Sequence, residues 1–261
     1  MKSVVQSLLT VCICLASAVA AQDKVPEDAT EKRHRRMLEL AQSYKLTMAG
    51  ESVSLRDKPL FRWSTPERQA IGGEMYVWTK QGRPAATIGV WTYDDVKDSH
   101  EVQSLATEPL VAVSPLFPDW RPSATSFRFR ELKGVPPPSN SPVRRQTQMR
   151  SLLREKFSGQ MIQDNDIQQQ LRLLPQPLFR YETMPEGVFD GAMFALAFGT
   201  DPEILVLLEA RNGDSSGSPA SWHYAFAPST SASVIGRIDS VDVWNNQDKD
   251  VGNAFRMIIN R

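Results

Sequence analysis

Cysteine is scarce in this chain of 261 residues and occurs only at Cys12 and Cys14. Both lie in an apolar N-terminal segment that we expect to be removed from the mature protein. The remaining chain would contain no cysteine, which excludes disulfide bonds, thiolate metal sites and a cysteine nucleophile. Its stability must therefore come from a hydrophobic core.

An excess of charge of either sign is also absent. The chain carries 30 Lys and Arg against 30 Asp and Glu, so the formal net charge at pH 7 is zero. With 41% hydrophobic and 23% charged residues, the composition is that of an ordinary globular protein. These values exclude a strongly basic nucleic-acid binder, and we expect no nucleic-acid partner.

Long hydrophobic runs are missing as well. The mostly apolar residues 4–18 number about 15, whereas a membrane-spanning helix needs roughly 20. This run follows Lys2 and leads into Ala18-Val19-Ala20, whose small side chains suit a signal peptidase. We therefore predict that residues 1–20 are a signal peptide cleaved before Ala21. The mature protein would be secreted or periplasmic, with no stable membrane anchor.

Signatures of zinc, phosphate or nucleophile sites are incomplete. His34, His100 and His223 lie far apart without the paired spacing of zinc ligands, and no glycine-rich phosphate loop occurs. Residues 213–219 are superficially similar to the nucleophile segment of chymotrypsin-like serine proteases, but they lack the two consecutive glycines that follow the serine there. The sequence therefore predicts no serine nucleophile.

A calcium loop is also incomplete. Asn246, Asp248 and Asp250 alternate as at the start of such a loop, but Val251 stands where the loop has glycine and Met257 where it has glutamate. Asp and Glu are too numerous for a catalytic carboxylate pair to be identified by spacing. We therefore predict no metal, no cofactor and no nameable catalytic residue.

What the sequence does contain is a pattern of strands with two amphipathic helices. Apolar residues at helical spacing predict helices over residues 26–44 and 143–157. Hairpins are predicted at residues 74–79 with 85–93 and at 192–198 with 203–210, the second being the most buried. Shorter strands are predicted at residues 101–106, 110–113, 126–131, 222–227, 234–244 and 255–259. Because helices and strands do not alternate, we predict an α+β fold with a mainly antiparallel sheet.

Two segments of the chain resemble each other at a constant offset of 118 residues. Residues 59–84 and 177–202 share eight identities in 26 ungapped positions, where unrelated segments share about one or two. The identical pairs are Pro59/Pro177, Leu60/Leu178, Phe61/Phe179, Arg62/Arg180, Thr65/Thr183, Gly73/Gly191, Met75/Met193 and Pro84/Pro202. We predict an internal duplication in which Phe61 and Phe179 are both buried. The alternative is an accidental match between two hairpins with similar turns.

The proline-rich residues 134–142 form a predicted linker. They divide the mature chain into two predicted α+β units, residues 21–133 and 143–261, each with a helix and a hairpin. The sequence leaves open whether these units form one domain or two.

Three stretches carry a family resemblance: residues 59–63 leading into Gly82-Arg83-Pro84, residues 100–105, and residues 190–192, 199–203 and 208–211. They resemble a family of uncharacterised secreted proteins that occurs in many copies in planctomycete bacteria. The likeness spans most of the mature chain. It implies a lineage and a compartment, and it carries over no catalytic residue because the family has no assigned activity.

Aromatic and basic residues supply the candidate ligand-binding positions. Secreted binding proteins stack aromatic rings on sugars and other flat ligands, and Trp78 and Trp222 each share a strand face with another aromatic residue. Arg62 and Arg180, equivalent under the offset, would converge on an anionic ligand if the halves pair about a pseudo-twofold axis. The alternatives are burial of both rings in the core and separate ion pairs for both arginines.

From these observations we predict a secreted, soluble, non-enzymatic binding or structural protein whose ligand is a protein or a carbohydrate. The alternative is a secreted hydrolase whose carboxylates the sequence does not identify.

Overall fold

The computed structural model describes residues 28–163, 167–182, 187–213, 218–247 and 254–259. The predicted signal peptide lies outside these ranges and stays a prediction. Within them, no helix has the length and apolar character needed to cross a membrane.

Two α-helices occur in the described part of the chain, α1 (Ala29–Gln42) and α2 (Pro142–Lys156), close to the predicted bounds. α1 begins after Asp28, whose Oδ1 accepts a hydrogen bond from the backbone N–H of Thr30 at 2.7 Å. α2 begins at Pro142, the last proline of the predicted linker, with Ser141 as its N-cap. Proline suits this first turn because a backbone N–H there has no partner within the helix.

Most of the remaining described chain forms strands. The strands before α2 are β1 (Lys45–Met48), β2 (Glu51–Ser52), β3 (Ser54–Leu55), β4 (Phe61–Thr65), β5 (Ala70–Lys80), β6 (Arg83–Thr92), β7 (Asp98–Ser104), β8 (Leu110–Val113) and β9 (Arg130–Glu131). Those after α2 are β10 (Phe157–Ile162), β11 (Gln168–Leu173), β12 (Phe179–Glu182), β13 (Val188–Phe198), β14 (Asp201–Arg211), β15 (Ser221–Pro228), β16 (Ser233–Ile238), β17 (Val241–Asn245) and β18 (Phe255–Ile258). A 3-10 turn, Pro66–Arg68, separates β4 from β5.

Among the described residues these strands form three antiparallel sheets. A small sheet has the order β2-β1-β8. A six-stranded sheet has the order β18-β7-β6-β5-β3, with β4 also paired to β5. A nine-stranded sheet has the order β17-β16-β10-β11-β13-β14-β15-β9, with β12 also paired to β13. The predicted α+β class with mainly antiparallel sheet is confirmed.

The two large sheets pack face to face and carry the helices on their outer faces. α1 covers the six-stranded sheet and the small sheet, where Met37 and Ile88 are fully buried. α2 covers the nine-stranded sheet, where Leu153 and Phe194 are buried. A third core joins the inner faces of both sheets and includes Met75, Trp91, Met193 and Leu207. The two predicted units therefore share a core.

The chain before α2 and the chain from α2 onward, here called the two halves, each contribute a strand to the main sheet of the other. β9, which precedes α2, pairs with β15, and β18, near the C-terminus, pairs with β7. Backbone hydrogen bonds as well as side-chain packing therefore hold the halves together.

Strand pairing around the two long hairpins repeats at the offset of 118 residues. The equivalent pairs are Phe61–Met75 and Phe179–Met193, Trp63–Gly73 and Tyr181–Gly191, and Leu55–Trp78 and Leu173–Leu196. The register also shifts at the same place in both hairpins, after Trp78 in β5 and after Leu196 in β13. Residues that are equivalent in sequence are thus equivalent in strand register.

Some details differ from the sequence predictions. Phe61 and Phe179 are half-buried rather than buried, because they pack at the margin of the shared core. Residues 234–244 contain two strands, because Asp239 and Ser240 adopt left-handed φ angles of 49° and 66° in a tight turn. Residues 126–131 contribute only the two-residue β9.

Candidate functional site

The structure does not bring the four candidate ligand-binding residues together. Trp78 and Trp222 are each 1% exposed, and they lie in different cores, one beneath α1 and the other beneath α2. Neither ring is presented to solvent.

Arg62 and Arg180 each pair with a buried carboxylate on the neighbouring long strand. The pairs are Arg62 Nε–Glu74 Oε1 (2.6 Å), with His34 of α1 on the same carboxylate, and Arg180 Nη2–Asp190 Oδ2 (2.8 Å), with Arg145 of α2 on the same carboxylate. Since the two carboxylates face different helices, the arginines lie on opposite outer sides of the sandwich. A ligand role for Arg62, Arg180, Trp78 and Trp222 stays a prediction.

A cleft of about 780 Å³ opens at one end of the shared core, and we call it the open corner. Its lining comes from β4, the 3-10 turn, β5, β6, β7, β10, β18 and the start of β14, together with residues 229–232 and the start of β16. Small-molecule sites commonly have volumes of about 300–1,000 Å³. The open corner is therefore large enough for a small ligand.

Aromatic side chains form one wall of the open corner. Trp63 and Trp91 are 7% and 8% exposed, and Tyr93 is 41% exposed. Trp63 lies over its strand partner Gly73, where an added Cβ would come within 2.4 Å of the indole. The absence of a side chain at Gly73 therefore gives this indole its place in the wall.

Carboxyl groups from both halves meet at the open corner. Asp201 is the first residue of β14, and its Oδ2 lies 3.0 Å from Arg68 Nη1. The same Nη1 lies 2.7 Å from Oε1 of Glu203, which is fully buried. Glu101, on β7, accepts a hydrogen bond from the Ser229 hydroxyl at 3.2 Å.

Burial raises the pKa of all three carboxyl groups. The pKa of Glu101 stands well above its ordinary value, first through burial and then through the negative charges of Asp201 and Glu203. Burial also raises the pKa of Asp201 and of Glu203, and the Arg68 guanidinium offsets part of both increases. The open corner thus holds protons at a pH where exposed carboxyl groups are ionised.

Within the described ranges, no three His, Cys, Asp or Glu side chains are grouped so that they could hold a metal ion. The side chains that line the open corner can supply hydrogen bonds, charge pairing, aromatic contact and proton transfer.

The corner at the equivalent position of the other half differs in chemistry. At the offset of 118 residues, Tyr181 stands at the position of Trp63 and Glu209 at that of Trp91. Arg211 stands at the position of Tyr93, and Arg83 at that of Asp201. The strand pairing aligns Glu101 with Ala225, because Gly89–Glu101 and Leu207–Ala225 are equivalent pairs. We call this second site the paired corner.

Side chains of the protein itself occupy the interior of the paired corner. Glu209 is fully buried, and its carboxylate accepts hydrogen bonds from Arg83 Nε (2.9 Å), Arg211 Nη2 (2.6 Å) and the Tyr181 hydroxyl (2.8 Å). Both guanidinium groups also lie over the ring of Phe129, at 4.9 and 4.5 Å from its centroid. A depression of about 360 Å³ lies outside them and is not lined by Glu209 or Tyr181.

The sequence reasoning did not identify the open corner, because its residues are far apart in the chain and belong to both halves. One sequence feature could have indicated it, namely a set of positions at which the two segments related by the 118-residue offset differ in chemistry. Among residues 59–93 and 177–211, the pairs Asp201/Arg83, Trp91/Glu209 and Tyr93/Arg211 change in charge or aromatic character while the strand pattern is kept.

The serine-protease-like segment and the calcium-like run lie partly outside the described residues. Residues 214–217 of the serine-protease-like segment and Asp248 and Asp250 of the calcium-like run fall outside them. Asn246 has a local role, because its amide donates to the carbonyl of Ala232 and accepts from the N–H of Val234.

Comparison with protein-family models, curated proteins and solved structures finds no match to this chain.

Proposed function

We propose that the protein is a secreted, non-enzymatic binding protein, that its halves are products of an internal duplication, and that the open corner holds its ligand. The planctomycete family and the signal peptide remain predictions within this proposal. The observation that supports this ligand site is the cleft of about 780 Å³, whose lining combines aromatic side chains with charged groups.

The duplication is supported by the strand register. Three strand pairs and a register shift recur at one constant offset, and a one-residue slip would have turned the core residues outward. Equivalent backbone hydrogen bonds join Leu60 N–H to the Met75 carbonyl and Leu178 N–H to the Met193 carbonyl, each at 2.7 Å.

Comparison of the two corners supports the assignment of the ligand site. A fold with two equivalent corners provides two places for a ligand. The interior of the paired corner is taken by Arg83, Arg211, Tyr181 and Glu209, whereas the open corner keeps its cleft. We therefore assign ligand binding to the open corner.

The test uses four small probes: benzylamine, benzyl alcohol, benzoate and methyl β-D-glucoside. Binding is measured by the change in tryptophan fluorescence, because Trp63 and Trp91 line the cleft. At least one probe should bind the wild type and bind more weakly to Tyr93→Ala. The matched control is Val96→Ala, an exposed residue that does not line the cleft. Failure of all four probes to bind in a Tyr93-dependent way would contradict the proposal.

A second candidate function is a secreted hydrolase, and the raised pKa of Glu101, Asp201 and Glu203 favours it. Carboxyl groups that stay protonated near neutral pH act as general acids in glycoside hydrolysis. The test is hydrolysis of 4-nitrophenyl glycosides by the wild type and by Glu101→Gln. Release of nitrophenol that disappears in the variant would favour the hydrolase, whereas equal background rates would favour binding without catalysis.

A further inference from the structure

The charge of the open corner indicates the chemical class of its ligand, and this inference rests on the proposed function. Among the described residues, Arg68 is the cation that contacts its carboxylates, with Nη1 at 3.0 Å from Asp201 and 2.7 Å from Glu203. Glu101 receives its hydrogen bond from the uncharged Ser229 hydroxyl. Three carboxyl groups therefore share one guanidinium, and the protons that they retain offset part of their negative charge. An organic cation can take the place of such a proton, whereas a neutral or anionic ligand cannot.

The aromatic wall suits the same class of ligand. Trp63, Trp91 and Tyr93 line the cleft that contains Glu101 and Asp201. The electron-rich face of an aromatic ring attracts ammonium and guanidinium groups, most strongly for tryptophan. An organic cation with an apolar part would gain both from the carboxylates and from these rings.

The paired corner shows how this fold accommodates cations at the equivalent place. There the guanidinium groups of Arg83 and Arg211 lie between the Glu209 carboxylate and the ring of Phe129. The residue equivalent to Arg83 at the open corner is Asp201, so the turn brings a carboxylate in place of a guanidinium. The two arginines of the paired corner thus have no basic equivalents at the open corner, where Asp201 and Tyr93 stand at their positions.

We propose that the open corner binds a small organic cation, whose ammonium or guanidinium group lies beside Glu101 and Asp201 and whose apolar part contacts Trp63 and Trp91.

Binding of such a cation should release protons. The groups that line the site are Arg68 from the 3-10 turn, Tyr93 after β6, Glu101 from β7 and Asp201 from β14, and Arg68 also contacts the buried Glu203. A ligand cation favours the ionised carboxylates and so lowers their raised pKa values. We expect benzylamine to bind about tenfold more tightly at pH 8 than at pH 5, the change produced by a one-unit fall in the pKa of one carboxyl group.

The experiment is isothermal titration calorimetry of the wild-type chain with benzylamine, benzyl alcohol and benzoate, which share a ring and differ in charge. Each titration is run at pH 7 in two buffers with different heats of protonation, so that proton release appears as a difference between the observed heats. Benzylamine should bind with proton release. Benzyl alcohol and benzoate should bind more weakly and release no protons.

Three variants locate the binding site. Asp201→Asn should weaken benzylamine binding about tenfold through loss of a charge-assisted hydrogen bond, and Tyr93→Ala about two- to fivefold through loss of a cation–π contact. Glu155→Gln, which removes an exposed carboxylate that does not line the cleft, should leave affinity unchanged. Circular dichroism checks that each variant is folded, and Tyr93→Ala serves as the test if Asp201→Asn does not fold.

The outcomes separate this inference from the proposed function. If benzyl alcohol or benzoate binds in a Tyr93-dependent way and benzylamine does not, the cation inference is overturned and the binding function stands. Equal benzylamine affinity in wild type, Tyr93→Ala and Asp201→Asn would mark surface binding and would also overturn the inference. If none of the three probes binds in a Tyr93-dependent way, the cation inference fails, and the proposed function fails with it unless methyl β-D-glucoside binds in that way.

Discussion

The variant Glu209→Gln at the paired corner should strongly destabilise the protein. Glu209 is fully buried and accepts hydrogen bonds from Nε and Nη2 of both Arg83 and Arg211, and from the Tyr181 hydroxyl. Glutamine keeps the size of the side chain and removes the negative charge that both guanidinium groups contact. Breaking a buried ion pair from one side costs about 3–5 kcal/mol.

This loss is measurable by urea denaturation followed through tryptophan fluorescence. With an m-value of about 2–3 kcal/mol/M, the midpoint should fall by about 1–2.5 M urea. The matched control, Glu155→Gln, changes a carboxylate whose side chain is 62% exposed and should leave the midpoint unchanged. A loss below about 1 kcal/mol for Glu209→Gln, the value of an ordinary neutral hydrogen bond, would refute the view that this carboxylate holds the corner together.

Three further predictions concern packing and pH. Gly73→Ala and Gly191→Ala should each lower thermal stability by about 1–3 kcal/mol, because the new Cβ would lie 2.4 or 2.3 Å from an aromatic ring; unchanged melting temperatures would contradict the ring positions. Phe61→Ala and Phe179→Ala should each cost about 1.5–2.5 kcal/mol, roughly half the value for a fully buried phenylalanine, as measured by urea denaturation; a loss near 5 kcal/mol would mean full burial. The carboxyl groups of the open corner have raised pKa values in the folded protein, so their contribution to the urea midpoint should fall as the pH rises from about 4 toward neutrality, whereas the contribution of buried His100, whose pKa is lowered to about 4, should rise. Glu203→Gln should reduce this fall in the urea midpoint, and an unchanged slope would contradict the shift.

The sequence predicted the helices and the two long hairpins because their signals are local. Apolar residues at helical spacing mark α1 and α2, and the apolar runs of β13 and β14 mark a strand pair buried on both faces. The predicted turns were longer than the observed ones. In the first hairpin, Gln81 and Gly82 both adopt left-handed φ angles, so two residues suffice to connect β5 and β6.

Strands without an apolar pattern were not predicted. β10 and β11 contain Gly159, Gln160 and the run Gln168-Gln169-Gln170, which gives no alternation of apolar and polar residues. Pairing with β13 and β16 makes them strands, and sequence separation hides that pairing from a local pattern.

The open corner is formed by tertiary packing, which a local sequence pattern does not show. Trp63, Trp91, Glu101 and Asp201 are separated by up to 138 positions and meet because the two sheets pack face to face. The composition indicated aromatic residues that were available for binding, but Trp78 and Trp222 are buried in the cores beneath the helices. The offset of 118 residues relates the two corners, and the structure shows that one keeps a cleft.

The most direct test of the binding site is a two-dimensional ¹H–¹⁵N spectrum of the six tryptophan indoles during titration with benzylamine. Trp63 and Trp91 line the open corner, Trp78 and Trp120 lie in the core beneath α1, Trp222 lies beneath α2, and Trp244 packs at the edge of that core. Single Trp→Phe variants assign the signals. The account predicts saturable shifts confined to the indoles of Trp63 and Trp91. Shifts centred on Trp244, or no shift at Trp63 and Trp91, would contradict it.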